Sequence, residues 1–318
     1  MDLKLILSSG SIVYATADNE YADLYWALRG GGNNFGIVTR FDIRTIEAPQ
    51  VTAGKISYGP NLRDSFINSL YNFSQEGVLD PHAFVLSTMS YVPFASPNIT
   101  YSGDLFYNGN DTTPKALEEF LPPLAFPKSN TFSTRTMADW SVESDEGFEQ
   151  VKGQNFRFHG FSMLSDLDAM FVAHDIFFRY VQERGQNITG FISTLAMNPI
   201  SKNYIVAGRG EDASGDPMGI DAQGGPYFYC EETISWTLDS DTDSIRQLID
   251  DLNTEIKDQL GDRLVPFLYL NNAGDKQDVF HSYNATNLER LVAIRDKYDP
   301  AGLYAEQLVG GFKLPAPL

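Results

Sequence analysis

Apolar residues recur every three or four positions along SDTDSIRQLIDDLNTEIKDQLG (240–261), where Ile245, Leu248, Ile249, Leu252, Ile256 and Leu260 mark one stripe. Acidic side chains fill the opposite face and the first turn, as a surface helix with a favourable dipole requires. SDLDAMFVAHDIFFRYVQERG (165–185) reads as a second helix, with Ser165 as N-cap and Gly185 beyond its end. Further helices are predicted in NEYADLYWAL, capped by Asn19, in LRDSFINSLYNFSQEG and in ATNLERLVAIRDKYD. Another is expected in TTPKALEEFLPPL, stopped by Pro122 and Pro123.

Between the helices the period changes to two. LKLILSSGSIVYAT (3–16) predicts two short strands and a turn, a hairpin that reads as entry into the middle of a sheet. In GIVTRFDIRTI, Ile37, Thr39, Phe41, Ile43 and Thr45 alternate with Val38, Arg40, Asp42 and Arg44. Strands are also predicted in VTAGKISYG, AFVLSTMSYVP, ITYSGDLFYNG, FRFHGFSML, NITGFISTLAMNPI, PYFYCEETISWTL and LVPFLYLNNA. Residues 125–155 read as an irregular surface excursion, and 208–226 as a Gly/Asp/Pro-rich loop. Strands and helices do not alternate strictly, so the order predicts an α+β fold with a largely antiparallel sheet.

The 318 residues suffice for one large or two ordinary domains, and 42% hydrophobic against 20% charged residues suits a globular chain. A formal charge of −19 changes the picture more, because it repels phosphate backbones and no basic patch offsets it. Nucleic acid is therefore excluded as a partner. No apolar run reaches membrane-spanning length. Cys230 is the single cysteine, and His82, His159, His174 and His281 lie far apart, so no metal site is expected. Nor is there a G-x-S-x-G elbow or a grouped Ser/His/Asp set to suggest a hydrolase. Met1 is followed by DLKLILSSG, with no basic leader, so secretion would require a signal peptide upstream. Sequons at Asn72, Asn98, Asn110, Asn187 and Asn284 point to secretion as a glycoprotein.

Three consecutive glycines in DLYWALRGGGNNFGIVTRF carry the main chemical signal. The spacing is not G-x-G-x-x-G, and the helix precedes the glycines while the strand follows them, so a Rossmann loop is excluded. Two readings stand: a plain helix-to-strand turn, or a backbone cradle whose amides face an anionic or planar ligand. Asn33 and Asn34 suit the cradle, since asparagine tolerates left-handed geometry and adds side-chain donors.

The same stretch resembles the end of the flavin-binding region in the berberine-bridge-enzyme-like, FAD-linked oxidases of the PCMH (vanillyl-alcohol-oxidase) type. LKLILSSGSIVYAT resembles the strand pair before it. At the other end, YLNNAGDKQDVFHSYNATNLERLVAIRDKYDPAGLYAEQLVGGFKL is similar to the family's Tyr-x-Asn-Tyr-Ala segment, Ser-Tyr-Gly turn, YDP helix end and closing Gly-Gly-Phe, most of all to fungal members. Asn272 stands in place of the second Tyr and Asn284 in place of the turn glycine.

The resemblance implies the C-terminal part of such a flavoprotein. Residues 1–47 would be the second half of the FAD-binding domain, 48–267 the substrate-binding domain, and 268–318 the return to the FAD-binding domain. It implies FAD as cofactor, held by Gly30, Gly31, Gly32, Asn33, Asn34, Gly36, Ile37, Val38 and Asn271, with Tyr269 as the catalytic residue on a strand leading to the flavin. The activity implied is hydride transfer from an alcohol or amine carbon of a secondary metabolite or carbohydrate, with reoxidation by O2. Tyr283 would pack, His159 and His281 would be structural, and alternation would turn only one of Glu231 and Glu232 inward. In the family a first FAD subdomain bearing the flavin-attachment residues precedes these motifs, so a longer reading frame or a separate chain would supply it. The competing expectation is a truncated, non-catalytic ligand-binding or scaffold homologue.

Overall fold

The computed structural model describes residues 2–45, 47, 50–122, 125–149, 151–208 and 215–316. In chain order the first elements are β1 (Asp2–Ile6), β2 (Ile12–Ala15), α1 (Ala22–Leu28), β3 (Ile37–Asp42), β4 (Val51–Tyr58), α2 (Arg63–Gln75), β5 (Ala83–Tyr91) and β6 (Thr100–Tyr107). Next come β7 (Ser129–Asn130), β8 (Ser133–Arg135), α3 (Met137–Glu149), β9 (Asn155–Leu164), α4 (Leu167–Arg184) and β10 (Ile192–Ile200). The chain continues through α5 (Lys202–Gly208), β11 (Tyr227–Trp236), α6 (Thr242–Leu260), β12 (Leu264–Val265) and α7 (Ala285–Tyr298). The fold is α+β, with sheets that pair antiparallel throughout the described residues.

The chain divides into two compact units. One comprises Met1–Ile46, Tyr204–Gln223 and Pro266–Leu318; the other comprises Glu47–Asn203 and Gly224–Val265. The stretch Tyr204–Gln223, assigned from sequence to the middle segment, groups with the first unit instead. Hydrogen bonds within that unit explain why: Arg29 Nη2 donates to Gly215 O at 3.0 Å, Asn287 Nδ2 to Asp216 O at 2.9 Å, and Asn284 N to Met218 O at 3.0 Å.

In the first unit a three-stranded sheet has the order β2-β1-β3. Leu3, Leu5, Val13 and Ala15 bury one side, while Ile12, Tyr14, Ile37 and Phe41 remain exposed. Asn19 does not cap α1, which starts three residues later; its Oδ1 accepts from Tyr21 N at 2.9 Å and builds the preceding turn.

The second unit is a nine-stranded sheet running β12-β9-β11-β10-β5-β6-β4, with the short β7 and β8 both on β4. Its core lies on the face covered by α2, α4 and α6, and the predicted stripe of α6 is buried at all six positions. On the opposite face Phe84, Leu86, Phe156 and Phe158 stand exposed.

Four local expectations change. The helix expected at 112–124 is a single 3-10 segment, Lys115–Phe120, whose i, i+3 pair Leu117 and Phe120 is buried together as that tighter period allows; Pro123 lies outside the described residues. The strand expected through 264–273 ends at Val265, because Pro266 has no N–H to continue the ladder with β9. Residues 125–155 are not irregular but hold β7, β8 and α3. The cap of α4 is Asp166, accepting from Ala169 N at 2.8 Å, while Ser165 Oγ pairs with Ser74 Oγ at 2.6 Å.

Candidate functional site

Within the first unit, α1 runs into the glycines and then into β3, and each glycine has a separate reason. A methyl group on Gly31 would lie 2.4 Å from the Phe35 ring and 2.8 Å from Ala27 O. One on Gly36 would lie 2.8 Å from Ile6 O, where β3 closes on β1. Gly30 presents its carbonyl to Tyr283 Oη, which donates at 3.0 Å, so Tyr283 packs and anchors; burial pushes its phenol pKa up. Gly32 is different. Its φ of +63° needs glycine, and a methyl there would meet only ordinary contacts, Leu270 Cδ1 at 3.5 Å and Phe280 Cζ at 4.0 Å. Replacing Gly31 with alanine is therefore expected to cost about 1–3 kcal/mol by overpacking against Phe35; a thermal melt unchanged from the parent would refute this.

The two asparagines are committed to the chain's own backbone. Asn34 is fully buried: its Nδ2 donates to Gly31 O (2.8 Å) and Phe312 O (3.0 Å), and its Oδ1 accepts from Leu314 N (3.1 Å). Asn33 Nδ2 donates to Gly310 O at 3.1 Å, and Lys313 Nζ donates to Asn33 Oδ1 at 3.2 Å. Residues 310–314 thus clasp the glycine loop, a role for Lys313 and Phe312 that reasoning from sequence missed; the closing Gly-Gly-Phe was the one signal. Ile37 and Val38 pair with Ile6 and Leu5 in β3, an edge strand among the described residues, which leaves its outer backbone side open.

Tyr269 does not sit on a strand. It leads into a 3-10 turn, Leu270–Asn272, and is 40% exposed. Asn271 Nδ2 donates to Tyr269 Oη at 2.8 Å, which fixes the direction of the phenol. Leu270, between them, is the residue beside Gly32. The glycine loop and the 269–271 turn, about 240 residues apart in sequence, are therefore neighbours in one unit. Asn284 caps α7, its Oδ1 accepting from Thr286 N and Asn287 N at 3.1 and 3.4 Å. His281 Nδ1 lies 2.8 Å from the Asp278 carboxylate on the surface.

In the second unit Glu231 and Glu232 point to opposite sheet faces. Glu231 accepts from Thr233 Oγ1 at 3.1 Å, and partial burial raises its pKa. Beside it, a methyl on Gly160 would fall 2.0 Å from Tyr229 Oη, so that glycine makes room for the tyrosine. Glu232 is the inward one, fully buried under α6, accepting from Asn253 Nδ2 at 2.7 Å and facing His159 Nδ1 at 3.5 Å across the β9–β11 ladder. Burial pushes Glu232 up to about 8 and His159 down to about 4. Among the described residues no cluster of His, Cys, Asp or Glu could hold a metal ion, and no helix is long and apolar enough to cross a membrane.

Solved structures share the fold. The chain aligns with 6-hydroxy-D-nicotine oxidase from Arthrobacter nicotinovorans at a TM-score of 0.73 and 15% identity, covering 99% of this chain and 66% of that one. It aligns with berberine bridge enzyme from Eschscholzia californica at 0.69 and 16%, covering 100% and 65%. The fold is that of the berberine-bridge-enzyme-like, PCMH-type flavoproteins. No protein-family model matches the chain. Among curated relatives, the FAD-dependent monooxygenase prx3 of Penicillium roqueforti is 28% identical over 99% of this chain and 62% of its own length. The chain thus spans about three-fifths of the length of these first curated relatives, which are named FAD-dependent monooxygenases and come from fungi.

Proposed function

We propose that this chain forms the larger part of an FAD-linked oxidoreductase acting on an alcohol or amine carbon of a secondary metabolite or carbohydrate. The observation that carries the reading is the meeting of Gly32 with the Tyr269–Asn271 turn, inside a fold shared with flavoproteins. Bound FAD would accept a hydride and pass its electrons to O2. The features that fit such a group are Gly32, with its left-handed backbone, the outer edge of Ile37 and Val38, and the exposed Tyr269 phenol. Gly31, Gly36, Asn33 and Asn34 shape the cradle from behind rather than through their side chains. Gly30 presents its carbonyl to Tyr283, and Asn271 holds Tyr269 in place. In this reading Tyr269 hydrogen-bonds the substrate's hydroxyl or amine at Oη and orients it, with Asn271 setting the direction of the phenol.

The first unit would be the flavin side and the second, with its exposed aromatic sheet face, the substrate side. Exposed Ile12 (61%), Tyr14 (49%), Ile37 (49%) and Phe41 (60%) support packing of a further flavin-binding body on the small sheet, supplied by the same or a separate chain. The competing reading is a ligand-binding homologue without redox chemistry.

Titration with FAD, followed by quenching of flavin fluorescence, tests the proposal without any turnover. Saturable binding is expected, weakened about tenfold by Gly32→Val, whose β-branched side chain resists positive φ, and left within about twofold by Tyr269→Phe. Binding that ignores Gly32→Val, or no binding at all, would favour the competing reading.

A further inference from the structure

In the second unit, on the helix-covered side of the sheet, α2, the end of β4 and the 3-10 segment Lys115–Phe120 enclose a cavity of about 400 Å3. Its walls are the rings of Tyr58, Phe66 and Phe120, with centroid separations of 5.7 Å for Tyr58–Phe66 and 6.3 Å for Phe66–Phe120. Tyr58 Oη is already committed, donating to Phe120 O at 2.6 Å, so the tyrosine offers its ring rather than its hydroxyl. Phe126 borders the cavity while 73% exposed, an apolar ring left in water beside an apolar space.

The polar side of the cavity is one-sided in charge. Glu119 lines it, and among the described residues no basic side chain does. Its carboxylate accepts from the neutral amide of Asn72 at 3.0 and 3.1 Å, and no ion pair involves it among the described residues. Lys115, three residues from the next acid, is engaged with Glu118. An acidic residue among aromatic walls complements a cation carried on a flat apolar body. The quadrupoles of the rings and the carboxylate attract the same charge, and the net charge of −19 works against an anion.

We propose that this cavity is a binding site for an aromatic ammonium, a molecule of about two fused rings bearing one protonated amine, distinct from the flavin side of the molecule. The site belongs wholly to the second unit and does not depend on the chain's redox chemistry.

The test is calorimetric titration of the whole chain with 1-naphthylmethylamine, against 1-naphthalenemethanol and 1-naphthaleneacetate as neutral and anionic counterparts. The amine is expected to bind saturably at one site, the alcohol about tenfold more weakly, and the acetate not at all. Glu119→Gln, which can still meet Asn72, is expected to bring the amine down to the level of the alcohol. Phe126→Ala, at an exposed position that should not disturb folding, is expected to weaken both several-fold, and Glu118→Gln, outside the cavity, neither. Equal affinity for amine and alcohol, an amine affinity that Glu119→Gln leaves unchanged, or no saturation at millimolar probe would each overturn the proposal.

Discussion

Replacing Asn34 with alanine is expected to destabilise the first unit by about 3–5 kcal/mol. The side chain makes three hydrogen bonds at a site with no solvent exposure, to Gly31 O, Phe312 O and Leu314 N. Removing it leaves one buried N–H and weakens two buried carbonyl contacts, each such loss costing about 1–3 kcal/mol when water cannot enter. Asn34→Asp would not rescue the site: it keeps the acceptor for Leu314 but sets a carboxylate against two carbonyl oxygens. Trp26, almost fully buried in the same unit, offers a fluorescence signal for urea unfolding. Amide exchange at Leu314 should accelerate in the variant, because its partner is gone. Unfolding within 1 kcal/mol of the parent, with Leu314 still protected, would show that the clasp contributes nothing.

The second large effect is a dependence of stability on pH set by Glu232 and His159. Glu232 has its folded pKa raised to about 8 from 4.5, mainly by burial, with the Asn253 bond opposing. Its contribution is therefore full below 4.5 and is lost as pH rises through about 8. His159 runs the other way: burial lowers it from 6.5 to about 4, with Asp250 opposing, so its contribution is present above 6.5 and lost as pH falls toward 4.

Between 4.5 and 6.5 the two slopes oppose each other, and stability should be nearly flat. From 6.5 to 8 the carboxyl acts alone, and stability should fall by roughly 1.4 kcal/mol per pH unit. Glu232→Gln keeps an acceptor for Asn253 but cannot ionise, so it should remove that decline. Urea midpoints at a series of pH values across neutrality would reveal it. Identical slopes for parent and variant above pH 6.5 would mean that Glu232 is not the group responsible.

What could be read from the chain alone was local and periodic. The stripe of α6 and the long strands β10 and β11 were legible because burial on one face imposes a period that no other arrangement satisfies. The glycine run was legible as a place of close approach, and alternation assigned Glu231 and Glu232 to opposite faces. Which of the two was buried depended on α6 lying over β9 and β11, a packing choice without local sequence expression.

The same limit explains the rest. Residues 266–272 carry strand-like composition, yet Pro266 ends the ladder and Tyr269 enters a turn held by its own neighbour, Asn271. Gly31 and Gly36 serve Phe35 and β1, while Gly32 alone keeps a left-handed backbone beside Leu270. Asn33 and Asn34 suited a ligand by their chemistry, but the closing residues 310–314 reached them first. Amino-acid order thus determined most of the elements, the acidic character and the α+β class. Tertiary structure decided which donors stay available, because a hydrogen bond to a partner some 280 residues away is set by chain closure and leaves no mark on local periodicity.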